Sequence, residues 1–159
     1  MHARNIATGI VVRPTITTSA SPDYSAGDAV GGGVITVTGV MPQSSGGLAY
    51  LRSLTLKDTS GQAPALSFLF FRATPTGGTY TDNSALDFGS TDVGNLVGVV
   101  RIAASDWYTV DAHSLVSLGA IDILMVSNSA DLYMLIVADA TWNASATTNL
   151  SLELGFERK

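Results

Sequence analysis

The chain has 159 residues, of which 46% are apolar and 13% charged, with a net charge of −5 and no cysteine. That length suits one domain with a core of its own, and the missing cysteines exclude disulfides and thiolate metal sites. Two lysines (Lys57 and Lys159) and six scattered arginines lack the clustered positive charge that binding to phosphate backbones requires, so no nucleic-acid partner is expected.

The N-terminal apolar stretch is too short and too interrupted for the core of a signal peptide. No apolar run approaches the ~20 residues that span a bilayer, so no membrane partner is expected. Residues 1–30, rich in Ser, Thr, Ala and Gly, read as an extended N-terminal arm that orders on assembly. Within it, 9–17 has the composition of a strand, and Pro14 restricts that strand to an edge or an arm. Residues 31–159 read as a β-sandwich domain. Its first strand, at 34–40, is entered through three glycines.

Further along, Leu48, Tyr50, Leu54 and Leu56 read as one apolar face opposed by Ala49, Ser53, Thr55 and Lys57, with Arg52 interrupting the apolar side. The runs 65–72, 95–102, 121–126 and 131–138 are apolar on both faces. They predict central strands, or strands whose outer face meets a partner. The clearest strand is the last, where Leu150, Leu152, Leu154 and Phe156 alternate with Ser151, Glu153, Gly155 and Glu157. Helical signal is thin: 91–98 is short and carries two glycines, and 111–118 has room for one turn. Several short strands separated by Gly, Pro, Ser and Asn turns predict an all-β, antiparallel β-sandwich or barrel.

No residue pattern selects an enzyme. His113 and Ser114 lie beside Asp111, but no nucleophile elbow surrounds them, and a loop histidine is the simpler reading. Glu153 and Glu157 share one strand face and read as solvated. Asp82, Asn83, Asp87 and Asp92 crowd the loop 81–92, as oxygen ligands for Ca²⁺ do, yet lack the spacing of a calcium loop and are ordinary turn residues. The glycine-rich 27–33 has neither the following Lys-Ser/Thr nor the helix of a phosphate cradle. No cofactor and no metal are therefore expected. Two sites at Asn143 and Asn149 match glycosylation acceptors and read as chance without a secretory signal. Trp107, Tyr108 and Trp142 fall near strand ends, where they serve as interface anchors, stack on sugars, or cap the sandwich.

Taken together, 24–32, 51–58, 61–64, 66–71, 74–75, 81–83, 98–102 with Asp106 and Trp107, and 132–137 resemble the small jelly-roll proteins that decorate or cement the capsids of tailed bacteriophages. The resemblance covers about residues 24–157 and is one of pattern and register. It implies a non-enzymatic structural protein, made in the host cytoplasm and located on the virion's capsid surface. The implied partners are the major capsid protein and further copies of the chain, commonly as a homotrimer. The interface candidates are Arg4, Arg13, Pro14, Arg52, Trp107, Tyr108 and Trp142. A carbohydrate- or host-binding module of a phage tail or fibre is the alternative, with the three aromatics as stacking platforms.

Overall fold

A computed structural model describes residues 8–147 and 149–159. Arg4 and His2 lie outside the described residues. The strands are β1 (Thr8–Val12), β2 (Ala29–Val37), β3 (Gly47–Asp58), β4 (Leu66–Phe71), β5 (Leu96–Ile102), β6 (Tyr108–Val110), β7 (His113–Ser127), β8 (Leu132–Ala138) and β9 (Leu150–Arg158). A one-turn helix, Ser90–Val93, precedes β5. Asp111, at φ 55°, turns the chain tightly between β6 and β7, so 111–118 is hairpin rather than helix.

Two antiparallel sheets stack, in the orders β1-β9-β3-β7-β6 and β2-β8-β4-β5. Without the short β6, this is the strand order of a jelly roll: eight strands and two Greek keys, with every strand except β5, which pairs with β4, lying in the opposite sheet from its predecessor. Alternation explains which side chains meet inside. Leu150, Leu152, Leu154 and Phe156 of β9 point inward, and β4 and β8 contribute Phe68, Phe70, Met134 and Ile136. At roughly 25 cal/mol per Å² of apolar surface, burying these side chains supplies the dominant favourable term in folding.

Strand β3 departs from the simple alternation. Leu51 pairs with Phe156 and Ser53 with Gly155, leaving Arg52 as an extra residue in the ladder. One unpaired residue inverts the pattern. Ala49, Leu51, Leu54 and Leu56 are buried, while Leu48 is exposed and Tyr50 only half-buried. The expected single face is therefore two half-faces joined at Arg52. Across from it, β7 inserts Ala120, Ile121 and Asp122 between the partners of Leu51 and Ser53.

The stretch 8–30, expected as part of an arm, lies against the sandwich. β1 pairs with β9, and Ile16, Thr18, Tyr24 and Val30 are buried. Thr18 donates its N–H to Thr147 O at 3.1 Å, and Tyr24 and Trp142 exchange backbone hydrogen bonds of 2.8 and 3.0 Å. The loop between β4 and β5 returns along the free side of β2. There Asn83 N bonds Ala29 O, and Ala29 N bonds Ser84 O.

Candidate interaction surface

Asp58, and Asp82 and Asp92 of the acidic loop weighed for calcium, are engaged in holding loops. Asp58 is fully buried. Its oxygens accept from the Ser60 amide at 2.8 Å, the Ser60 hydroxyl at 2.5 Å, and the Gln62 and Ala63 amides at 2.8 and 3.1 Å. Asp92, also buried, accepts from the amides of Thr76 and Gly77 at 3.0 and 2.7 Å and from the Tyr80 hydroxyl. The Tyr80 bond is the largest influence holding the Asp92 carboxyl below its ordinary pKa, with the amides adding to it against the cost of burial. Tyr80 itself is pushed up to about 12, first by burial and then by its carboxylate partner.

Asp82 turns the other way, accepting from the Tyr24 hydroxyl and the Gly31 amide, both at 2.8 Å. Asn83 donates to Pro22 O. The acidic loop is thus divided between separate backbone partners, and among the described residues no three His, Asp or Glu side chains gather as metal ligands. His113 Nδ1 faces Thr59 O at 3.1 Å, while the buried Ser114 hydroxyl pairs with that of Thr109 at 2.8 Å. As neighbours on one strand, their side chains leave opposite faces of the sheet. They form no nucleophile–base pair.

The interface candidates separate. Trp107 is 9% exposed and donates its indole N–H to Pro64 O at 2.9 Å. Trp142 is 4% exposed and stacks on the buried Tyr24 ring, with centroids 5.1 Å apart and planes at 13°. Both cap the sandwich interior and present no platform, because their large apolar rings gain more from burial than from solvent. Tyr108, at 67%, is the exposed member of the three.

Arg13 is exposed and pairs with Glu153 at 3.3 Å; Pro14 is half-buried just beyond β1. Arg52 is paired within the chain. Its Nε donates to Glu157 at 2.7 Å, its Nη1 reaches Asp122, and its guanidinium lies 4.7 Å from the Tyr50 ring centroid. Glu157 is held below its ordinary pKa by donation from Lys159 first and from Arg52 second. This cluster seals the bulge, at the edge of a shallow depression floored by Gly9 and Gly155.

The outer face of the β2-β8-β4-β5 sheet is more apolar. Leu69, Phe71, Phe88, Val93 and Leu96 line one depression. A second shares Leu69 and Phe88 and adds Leu86, Val99 and Val137, bordered by Arg101 and Asp139, which pair at 3.3 Å. Sequence reading singled out none of Phe88, Val93, Leu96 or Val99 individually. The run 95–102, apolar on both faces, was the signal for Leu96 and Val99; Phe88 and Val93 lie before it.

No family model matches the sequence, and no curated protein matches it. Among solved structures, the chain is similar to the coat protein of tobacco streak virus (8% identity, 99% of this chain and 90% of that one, TM-score 0.35). It is also similar to murine APRIL (9% identity, 96% and 100%, TM-score 0.37) and to a chain of Desmodium yellow mottle tymovirus (14% identity, 99% and 84%, TM-score 0.32). The jelly-roll assignment stands on the strand order itself.

Proposed function

We propose that this chain is a structural, non-enzymatic protein of a virus particle, one that attaches to the outside of a tailed-phage capsid and stabilises contacts between major capsid protein subunits. The observation that carries this reading is the exterior. Apolar side chains stand exposed on both sheets, while the ionic groups around them, such as Arg13–Glu153, Arg52–Glu157 and Arg101–Asp139, are already paired within the chain. Covering such a surface gains hydrophobic free energy and leaves few unpaired charges to desolvate. Jelly rolls build viral shells, lectins and cupins, so the fold is compatible with the reading without deciding it. Buried loop carboxylates and a side-chain-filled interior favour a scaffold over a reaction site.

A protein that binds only the assembled shell stabilises it by mass action, and copies of the chain joined as a trimer multiply weak contacts through avidity. The sugar-binding alternative loses two of its three platforms to the core and keeps Tyr108. The test is co-sedimentation of the purified chain with phage capsids stripped of their decoration protein, followed by heating. The expected result is saturable binding and a higher shell-melting temperature. Failure to bind such shells, together with a Tyr108-dependent response to host glycans, overturns the structural reading.

A further inference from the structure

The four sheet edges are not equally open. On one flank of the sandwich, β1 is five residues long and runs into Arg13 and Pro14. Beside it, β2 is interrupted by Gly31, Gly32 and Gly33, all at positive φ, and its free side is occupied by the loop carrying Asn83 and Ser84. Irregularity, proline and a covering loop are the devices by which sheets block edge-to-edge pairing.

The opposite flank is built from β5 and β7. They meet across the sandwich, where a Cβ on Gly98 would lie 2.9 Å from Ile123 and 3.0 Å from Met125. Strand β5 pairs with β4 alone, and β6 covers β7 only at 113–115. The remaining outer edges carry backbone donors and acceptors with no strand or loop partner among the described residues. The local bulges at Val97 and at 120–122 are the only irregularities there, and 96–127 contains neither Lys nor Pro.

The same flank gathers exposed apolar side chains. Of the ten large ones exposed among the described residues, eight fall between Val93 and Val126, and they include Val99 on β5, Tyr108 on β6, and Leu115 and Leu124 on β7. Apart from Asp111 at the exposed β6–β7 turn, its Asp and Arg side chains are tied internally. Arg101 pairs with Asp139, Asp122 with Arg52, and Asp106 accepts from the Ala103 amide.

We propose that the β5–β7 flank is where a second copy of this chain docks, edge against edge. An open strand edge is satisfied by another strand, and a flank without lysine, whose one unpaired carboxylate among the described residues is Asp111 at the β6–β7 turn, gives a charged partner little to grip. A second copy supplies a matching edge and matching apolar side chains, and β5 of one copy set against β7 of the next is a head-to-tail contact of the kind that closes into a ring. This deepens the reading that the chain works as an assembly and adds the surface through which copies meet.

The test is sedimentation velocity of the full chain over a concentration series, with Val99→Lys and Leu124→Lys compared against Val11→Lys. Val11 is exposed too, but on the opposite flank. Far-ultraviolet circular dichroism and melting confirm that each variant folds. The expected result is reversible self-association, weakened about tenfold or more by each of the first two substitutions and left unchanged by the third. A wild-type chain that stays monomeric overturns the proposal. So does association that Val11→Lys weakens equally, or that neither flank substitution alters. Shell binding is scored separately, so a flank that proves silent on a chain that still binds capsids sinks this surface and not the capsid reading.

Discussion

Tyr24 and Asp92 make stability depend on pH in opposite directions. Burial, the largest influence, raises the Tyr24 phenol well above its ordinary 10.0, with Asp82 adding to the shift. The folded chain therefore keeps this proton where the unfolded chain releases it. The stabilisation is full below about pH 10 and is lost as pH rises toward the folded value. Asp92 is depressed below its ordinary 3.8, chiefly by the Tyr80 hydroxyl. Its contribution is full above that value and is lost as pH falls through the folded one. Urea denaturation across pH should show stability declining at both ends. Tyr24→Phe should flatten the alkaline limb and Asp92→Asn the acid limb; a variant limb as steep as the parent's would show that the residue does not carry the dependence. Neither role is legible in the sequence. Asp82 bonds Gly31 and Asp92 bonds Thr76 across folded loops, so a row of aspartates looks like a cation site until the chain brings their amide partners in.

Strand β3 shows what pattern reading resolves and where it stops. Period-two alternation located β9 closely, and runs apolar on both faces located β4 and β8, which are covered on both sides. Alternation does not count a bulge. Arg52 marked the irregular place, but the inversion of Leu48 and Tyr50 to the outside is visible only in the ladder. Opposite it, Ala120 and Asp122 adopt φ of 54° and 55°, left-handed backbone that costs a residue with a Cβ roughly 1 kcal/mol. Ala120→Gly should therefore raise unfolding free energy by about 0.5–1 kcal/mol, offset in part by the greater entropy of the unfolded chain. Ala120→Val should lower it. Thermal melts of the two variants check the order, and a melting temperature lowered by glycine would contradict the strain.

For the molecule as a whole, residues 8–30 matter more to the fold than their Ser- and Gly-rich composition suggests. Ile16, Tyr24 and Val30 belong to the core, and β1 extends a sheet, so deleting residues 1–30 should leave a chain without a cooperative melt. Deleting 1–7 should preserve the melt, because every described strand remains. A cooperative transition in the longer deletion would show that those contacts are dispensable. The pairing of β1 with β9 sets Thr8 opposite Arg158, so the sandwich begins and finishes at adjacent points on a single rim. A short peptide bridging the two would close the chain into a ring with little added constraint, and new ends could then be opened at an exposed turn. The same adjacency means that a passenger domain joined just before Thr8 or just after Arg158 would emerge beside the other point, on one side of the sandwich.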